Sequence, residues 1–507
     1  MTPDTDARPP RPPSLLDSLI PVVALIVLIG LALSLFGTDA TSGPLQVALL
    51  LSAYVAALVA RKNGHTFIHI ADAIVGGVSS AMSAIFILLA VGALIGAWNL
   101  SGTTATVVYY GVKLLQPEIF YPSVALICFL VGIVTGSSWT TAGTLGVAFM
   151  GMAPVLGVQP EITAGAVISG AYLADKSSPL SDTTVLIPKL VGNVEVYDHI
   201  RAILWTTVPA FVIALAAFVL LALTEDVGAV PGQKDAALNA VDAAFSISFV
   251  NLLPLIVLLV FCILRFPPFL SILSSALFAA ALAGFTQPDL VHSLADDADL
   301  GIVLATVKSM FISTATGFEL NSGVQAIDDL FSRGGMSAML TTIWLVLGAL
   351  SFAAVMEHAG FLDRLIRPVI HTAKSAGQLI CAAGATAIGL NVIAGDQYVS
   401  VVLPARMYRL EFARRGIDPR MLSRTMADTG TVTSALIPWN SCGAYMSGTL
   451  GVSTLSYFPY CFLNLLNPFF SMGYALAGFQ LKRVPPLEEV DASEPEPALA
   501  PSAGSGT

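Results

Sequence analysis

Long apolar segments with hardly any charge recur along the whole chain, and they limit the folds that are open to it. A helix needs roughly 20 apolar residues, and about 17 as a minimum, to cross a bilayer core of about 30 Å. Only 11% of the 507 residues are charged, whereas a soluble protein carries about 25%. The sequence therefore predicts an all-α polytopic membrane protein with about 12–14 transmembrane or re-entrant helices. The fourteen candidate spans are 19–36, 44–60, 81–98, 120–135, 140–156, 161–175, 202–223, 250–265, 267–285, 338–356, 376–394, 397–412, 419–437 and 456–480.

The basic residues are distributed unequally between the two sides of these spans. If the N-terminus is cytoplasmic and every candidate crosses, 19 Lys and Arg residues fall on the cytoplasmic side and four on the other. This bias agrees with the positive-inside rule. We therefore expect both termini in the cytoplasm, the connections 224–249 and 286–337 outside, and the protein in a bacterial cytoplasmic (inner) membrane.

An internal repeat is readable in the sequence. The segment 72–82 aligns with 329–339, and Gly136 aligns with Gly395, at a nearly constant offset. Seven candidate spans separate equivalent positions, and an odd number inverts the second copy. Inverted repeats with broken helices place a transporter's substrate site near the midplane; chance similarity between apolar segments is the alternative. The predicted organisation is a disordered tail (1–17), a first transmembrane repeat (18–224), an external linker (225–249), a second, inverted repeat (250–481) and a disordered acidic tail (482–507).

The first of two polar stretches contains Asp175 and Asp182 on either side of Pro179. Ionisable groups are costly at membrane depth and persist mainly where they have a function. Proline removes a backbone donor and disrupts the preceding helical turn, so a break here would free carbonyls and hydroxyls as the oxygen ligands that hard cations prefer. The alternative is a cytoplasmic loop in which Asp175 pairs with Lys176 and Ser181 or Asp182 caps a helix.

The second polar stretch repeats this pattern, with Pro438 inside an apolar run. Asp396 opens a span, where a role as helix N-cap is the alternative. Asp428 lies inside a span, with only Arg424 as a nearby basic residue. The predicted ion-binding and proton-coupling residues are Asp175, Asp182, Asp396 and Asp428, with supporting oxygen ligands at Ser177, Ser178, Thr183, Thr431, Thr433 and Asn440.

Several classes of function are disfavoured by the sequence. It contains no phosphate-binding GxxxxGK[ST] loop, no HExxH zinc motif and no catalytic constellation of an enzyme. The five cysteines are scattered singly, so neither a metal site nor a disulfide framework is expected. A clustered basic face for nucleic acid is also lacking. We therefore expect no enzymatic activity and no cofactor, and any uphill transport must use an ion gradient.

The polar stretches resemble a known family. Residues 174–184 (ADKSSPLSDTT) resemble the GDKxSPLSDTT segment of NhaC-type sodium/proton antiporters, part of the ion-transporter superfamily, with Ala174 in place of glycine. Residues 395–398, 422–433 and 437–440 resemble further segments of that family. The resemblance implies electrochemical exchange of cytoplasmic Na⁺, or Li⁺, for external H⁺. Family relatives similar to malate/lactate exchangers make an H⁺/Na⁺-coupled carboxylate exchanger the alternative.

Competition for one site would couple the two ions. Desolvation and like charge favour the protonated form of a buried carboxylate pair, whereas Na⁺ favours the ionised form. We place the Na⁺ site at Asp175 and Asp428. In the alternative function, carboxylate exchange, the N-termini of the half-helices at the breaks bind the carboxylate of the substrate, assisted by Lys176 or Arg424. The expected partners are the bilayer, Na⁺ and H⁺, with Li⁺ and small carboxylates as further candidates and a homodimer as a candidate assembly.

The charge bias generates a labelling prediction. Single cysteines introduced into 225–249 or 286–337 of a cysteine-free variant should react with an impermeant thiol reagent added outside intact cells, because both connections are expected outside. Labelling of the same positions only in inverted vesicles would contradict this topology.

Overall fold

The computed structural model of the chain describes residues 10–192, 194–224, 233–297 and 299–486. Over these residues the fold is helical and contains no strand beyond one isolated bridge. Within the same ranges, nine helices are long and apolar enough to cross a membrane, and a pair bent by 91° makes up to ten. The prediction of an all-α polytopic membrane protein is confirmed.

The helices fall into two halves. The first half comprises α1 (Leu15–Phe36), α2 (Pro44–Lys62), α3 (Phe67–Ser80), α4 (Met82–Leu100), α5 (Thr103–Leu114), α6 (Phe120–Thr135), α7 (Ser138–Thr141), α8 (Val147–Leu156), α9 (Pro160–Ser177), α10 (Asp182–Gly192) and α11 (Val196–Thr224). The second comprises α12 (Gln233–Ala244), α13 (Leu253–Ile263), α14 (Pro268–Thr286), α15 (Pro288–Ala295), α16 (Ile302–Ala315), α17 (Gln325–Phe331), α18 (Leu340–His358), α19 (Phe361–Thr372), α20 (Ala376–Ile393), α21 (Gln397–Arg414), α22 (Pro419–Met426), α23 (Ser441–Leu450), α24 (Thr454–Tyr457) and α25 (Phe462–Ala477).

Matching helices recur in the two halves. Helices α4 and α18 are both 19 residues long, and the helices that follow them, α5 and α19, are both 12 residues long. The turns between them match as well. Gly102 and Gly360, which directly precede α5 and α19, are both left-handed with φ of 70°, a conformation that glycine adopts without strain. These matches in backbone structure agree with the internal repeat predicted from the sequence.

Equivalent helices of the two halves run in opposite directions. Gly77 of α3 packs against Ala354, close to the end of α18. Farther along, the carbonyl of Gly92 in α4 accepts a 2.7 Å hydrogen bond from Gly335, just before α18 begins. Helix α18 therefore runs antiparallel to α3 and α4, which is the orientation that the predicted inverted repeat requires.

The two repeats also exchange supporting helices. Helices α2 and α3 of the first half pack on α18 of the second, while α14 and α16 of the second half pack on α4 of the first. The Trp98 indole of α4 donates to the Ser275 hydroxyl of α14 at 3.1 Å. Gly96 of α4 lies directly on the backbone of Ser313 in α16. Each repeat is consequently completed by helices from the other.

Basic side chains gather at one end of the helical bundle, here called the basic end and defined by Arg61, Lys62, Arg414, Arg415 and Arg420. The starts of α1, α11 and α22 meet the ends of α2, α18, α19 and α21 there. The contacts that join them are Lys62–Asp17 at 2.8 Å, His65–His358 with ring centroids 5.1 Å apart, Arg415–Ala373 at 2.8 Å and Arg420–Asp198 at 3.7 Å.

Four of the fourteen candidate spans differ from the sequence prediction. Four helices are too short or too polar to cross a membrane as continuous apolar spans: α9, α21, α22 with its continuation, and α25, formed by segments 161–175, 397–412, 419–437 and 456–480. Helix α9 is buried along nearly its whole length, so it needs no continuous lipid-facing surface. The expected connection 286–337 is also not a simple loop, because it contains α15, α17 and the apolar helix α16.

The tails predicted as disordered are partly ordered. Helix α1 begins within 1–17, because Ser14 and Asp17 form a capping box and Asp17 pairs with Lys62 at 2.8 Å. Residues 482–486 are also ordered. The Lys482 carbonyl accepts a hydrogen bond from the Asp418 amide at 3.2 Å. Residues 1–9 and 487–507 lie outside the described residues, as does 225–232 of the predicted linker; 233–244 of that linker is α12.

The close contact at Gly96 generates a stability prediction. Gly96→Ala should destabilise the protein by about 1–3 kcal/mol, because a Cβ there collides with the Ser313 carbonyl of α16. The thermal unfolding midpoint in detergent measures this loss. Gly30→Ala is the matched control, since a Cβ on Gly30 meets nothing within 4 Å. A midpoint unchanged in Gly96→Ala would show that α16 does not pack on α4 as described.

Candidate ion-binding site at two helix breaks

The first helix break separates α9 from α10. Helix α9 ends at Ser177, and Pro179 lies in the short non-helical segment before α10 begins. The Ser178 hydroxyl anchors this segment by donating to the Ile133 carbonyl of α6 at 2.7 Å. Gly136, which ends α6 in a left-handed conformation, packs against the break. The hairpin between α6 and α7 therefore holds the break in place.

The second helix break is the counterpart in the other repeat. Pro438 lies in the non-helical segment before α23. The Trp439 indole donates to the Val392 carbonyl of α20 at 2.6 Å, and the Ser441 amide donates to the Gly395 carbonyl at 2.8 Å. The hairpin between α20 and α21, equivalent to that between α6 and α7, thus holds this break.

Asp175 lies in a cluster of hydroxyl groups beside the first break. The residue is 7% exposed, and its carboxylate accepts from the hydroxyls of Ser138 at 2.6 Å and Ser181 at 2.5 Å. The Thr183 hydroxyl lies 3.1 Å from that of Ser181, and the Thr184 hydroxyl donates to the Asp175 carbonyl at 2.8 Å. A hydroxyl can donate to a carboxylate or turn a lone pair toward a cation. The cluster therefore offers the oxygen ligands that a hard cation requires.

Asp428 has different surroundings. It forms an ion pair with Lys176 at 2.5 Å, and both side chains are fully buried. Its carboxylate also accepts from Asn467 and Thr206, each at 2.7 Å. Asp428 lies in a π-helical continuation of α22, a local structure that is frequent at functional sites. Two adjacent residues of α9, Asp175 and Lys176, thus connect the hydroxyl cluster to the second repeat.

The remaining two predicted carboxylates occupy less buried positions. Asp396 is half-buried and caps α21, accepting from the Val399 amide at 3.0 Å and from the Ser441 hydroxyl at 3.3 Å. This is the capping arrangement expected as the alternative for this residue. Asp182 is the first residue of α10 and its side chain is exposed.

Two of the predicted oxygen ligands, Thr433 and Asn440, already form hydrogen bonds within the protein. The Thr433 hydroxyl donates to the Thr429 carbonyl at 2.6 Å and accepts from Asn391 at 2.9 Å. Asn440 donates to Asn391 at 3.0 Å and caps α23 by accepting from the Cys442 amide at 3.0 Å. These two side chains stabilise the second break.

Two further predicted ligands have no such partner. Among the described residues, the hydroxyls of Ser177 and Thr431 are buried without a hydrogen-bond partner. Within the same residues, no group of three or more His, Cys, Asp or Glu side chains could hold a metal ion. A cation site here would therefore consist of one carboxylate with hydroxyl and carbonyl oxygens.

The repeat places a different chemical pair at the position of Ser138 and Asp175. In the register that aligns the two hairpins, their equivalents in the second repeat are Gln397 and Ser434, which are joined by a 3.0 Å hydrogen bond from the Ser434 hydroxyl. The same contact therefore exists in both repeats, but only the first contains a carboxylate. The repeat register relates the two pairs, but the contact between Ser138 and Asp175 is visible only in the structure.

The residues that bind Asp428 could not be recognised from the sequence. Thr206 and Asn467 bind Asp428 from α11 and α25, where each lies within a largely apolar run. His199 of α11 is likewise buried, with Nδ1 2.6 Å from the Ser423 hydroxyl. These contacts depend on how distant helices pack, which a single sequence does not reveal.

Comparison with known proteins places these residues in a family. A sequence profile of the Na⁺/H⁺ antiporter family matches residues 17–191 and 170–479. The chain belongs to this family. The resemblance found in the polar stretches is confirmed, and the stretches at both helix breaks lie within the matched residues.

Three relatives show the range of named activities in the family. The chain is 36% identical to the Na(+)/H(+) antiporter NhaC of Alkalihalophilus pseudofirmus, over 86% of this chain and 90% of that protein. It is 33% identical to the malate-2H(+)/Na(+)-lactate antiporter of Bacillus subtilis, over 90% and 94%. It is 32% identical to the arginine/ornithine antiporter ArcD of Halobacterium salinarum, over 96% and 97%.

The buried ion pair generates a second stability prediction. Lys176→Met should destabilise the protein by about 3–5 kcal/mol, because it leaves the Asp428 charge buried and unpaired. Adding Asp428→Asn should recover part of the loss, since the amide is neutral. Thermal unfolding of both variants measures the difference. Glu411→Gln, which removes the more exposed pair with Arg415, should cost under about 1 kcal/mol. A double variant less stable than Lys176→Met would contradict the pairing.

Proposed function

We propose that the protein exchanges Na⁺, and also Li⁺, for H⁺ across the cytoplasmic membrane. Membership of the Na⁺/H⁺ antiporter family and the similarity to a relative named NhaC support this function. The structural observation that carries the proposal is the buried Asp175 carboxylate among hydroxyl groups at a helix break. Such a site can hold either a small hard cation or a proton.

Exchange follows from competition at Asp175. In a poorly hydrated site, the carboxylate is neutralised by a proton or by a cation, because a bare charge is costly there. Na⁺ is bound by the ionised carboxylate, with hydroxyl oxygens of Ser138 and Ser181 turned toward it. Protonation removes the charge that holds Na⁺. Loading by one ion thus releases the other, and transport of both is coupled if the empty, ionised site does not change sides.

The Lys176–Asp428 pair transmits the state of this site to the second repeat. Lys176 directly follows Asp175, so a displacement of this turn of α9 also displaces an ammonium group bound to the other broken helix. Asp428 participates in Na⁺ binding only where Lys176 has released it. Its role is therefore coupling between the repeats, with direct ligation of Na⁺ restricted to a state in which the ion pair is broken.

The basic end faces the cytoplasm in this proposal. The positive-inside rule supports that orientation, and it places the start of α1 and residues 482–486 on the cytoplasmic side. The half-buried Asp396 and the exposed Asp182 are then candidates for attracting cations toward the breaks, since a carboxylate raises the local cation concentration.

Exchange of small carboxylates is the second candidate function. The similarity to a relative named malate-2H(+)/Na(+)-lactate antiporter supports it. Lys176 is fully engaged by Asp428, so the cation that would bind a substrate carboxylate is Arg424. This candidate predicts that malate or lactate moves with the ions, whereas Na⁺/H⁺ exchange proceeds without any organic acid.

Transport by single-residue variants tests the proposed site. Asp175→Asn should abolish ΔpH-driven Na⁺ uptake into proteoliposomes, because the amide cannot bind or release the coupling proton. Asp428→Asn should also abolish it, through loss of the contact between the repeats. Ser138→Ala should weaken Na⁺ binding by about 10-fold, the effect of losing roughly 1.4 kcal/mol from one oxygen ligand, while uptake at saturating Na⁺ remains.

The controls separate the two candidate functions. Asp363→Asn changes an exposed carboxylate of α19 and should exchange Na⁺ normally. Each variant is assayed with Na⁺, Li⁺, K⁺, malate and lactate in turn. Near-normal exchange by both Asp175→Asn and Asp428→Asn would reject the site and move the coupling proton to Asp182 or Asp396, while uptake that requires malate or lactate would favour carboxylate exchange.

A further inference from the structure

A large pocket at the basic end is not used by the exchange mechanism. Its volume is about 810 Å³, and it lies between α11, α22 and the segment from the end of α25 to Lys482. Such a volume is typical of sites for small organic ligands. The pocket extends inward to Arg424, one helical turn before Asp428.

The charge of this pocket is unbalanced. Its lining includes four basic residues, Arg201, Arg420, Arg424 and Lys482, and only one acidic residue, Asp198. Asp198 is shared between Arg201 at 3.8 Å and Arg420 at 3.7 Å. Within the described residues, neither Arg424 nor Lys482 has a carboxylate within 4.0 Å. Arg420 also pairs with Asp418 at 2.6 Å. The cations of the pocket that lack a carboxylate partner are therefore Arg424 and Lys482.

Arg424 shows this imbalance most clearly. Its side chain is among the largest fully buried ones and is 1% exposed as a residue. Its Nε and Nη2 atoms are buried without a hydrogen-bond acceptor in the described part of the chain. The nearby Asp428 carboxylate is already bound by Lys176, Asn467 and Thr206. A buried unpaired cation is costly, so an anion in the pocket would satisfy it.

The opposite wall of the pocket is apolar and faces outward. Leu204, Trp205 and Val208 line it and are 42%, 51% and 52% exposed. They belong to α11, a helix long and apolar enough to cross the membrane, so this wall adjoins the acyl chains of the bilayer. Phe479 closes it, with its ring centroid 6.2 Å from that of Trp205. A soluble anion would use the basic groups but would gain nothing from this exposed apolar wall.

We propose that this pocket binds an anionic phospholipid from the leaflet at the basic end. The lipid phosphate is held by Arg424 and the rim residues Arg201 and Lys482, because guanidinium and ammonium groups form strong charge-assisted hydrogen bonds to phosphate. One acyl chain lies against Trp205 and Val208. Bound lipid then neutralises the cation nearest to the Lys176–Asp428 pair, so the lipid composition of that leaflet influences the contact between the repeats.

Native mass spectrometry of the purified full chain tests the site with phosphatidylglycerol and phosphatidylcholine as probes. The protein should retain phosphatidylglycerol in preference to phosphatidylcholine. Arg201→Gln and Lys482→Gln should each lower phosphatidylglycerol retention about fivefold, since one surface charge near an anionic headgroup contributes that much to binding. Arg424→Gln should lower it further. Arg409→Gln, an exposed charge outside the pocket, should leave retention unchanged.

Thermal unfolding separates binding from damage to the fold. Phosphatidylglycerol should raise the unfolding midpoint of the natural protein and of Arg409→Gln, and should raise it less in the rim variants, whose lipid-free midpoints should match that of the natural protein. Equal retention of phosphatidylglycerol by Arg201→Gln, Lys482→Gln and the natural protein would overturn the proposal. Displacement of the lipid by malate or lactate at millimolar concentration would overturn it in favour of a soluble carboxylate.

Discussion

The buried ion pair between Lys176 and Asp428 joins the broken helix of the first repeat to that of the second. Each charge alone would be very costly in the interior of a membrane protein, so this arrangement of the two helices depends on their remaining together. Asp175 precedes Lys176 on the same turn of α9, and its hydroxyl cluster is therefore positioned by the same contact. A change of access that separates the two charges must provide each of them with another partner.

Equivalent positions of the two repeats have similar backbone structure but different side chains. Equivalent positions form equivalent contacts, as Ser138 with Asp175 and Gln397 with Ser434 show. The ion pair itself has no counterpart, since Ser169 and Ala435 occupy the positions equivalent to Asp428 and Lys176. The two breaks are therefore alike in backbone, while the carboxylate proposed for ion binding and the ion pair proposed for coupling have no equivalent in the other copy.

Local rules predicted much of the framework around the site. The interruptions near Pro179 and Pro438 follow from the missing amide of proline, which acts on its own helix whatever surrounds it. The capping role of Asp396 was expected as an alternative for the same reason, since an N-cap bonds to an amide three residues away. The assignment of Na⁺ to Asp175 and Asp428 stays a prediction, and the structure gives the two carboxylates different surroundings.

The sequence by itself determined the membrane location, the helical class, the family and the positions of the breaks, because each depends on composition or on neighbours within a few residues. Only the tertiary structure decided which charge meets which. Thr206, Asn467 and Lys176 reach Asp428 from three other helices, and Arg424, one turn away, is left without a carboxylate. Those outcomes depend on the packing of helices far apart in the chain, and in a medium of low dielectric constant a contact of a few ångströms decides whether a charge is stabilised or unpaired.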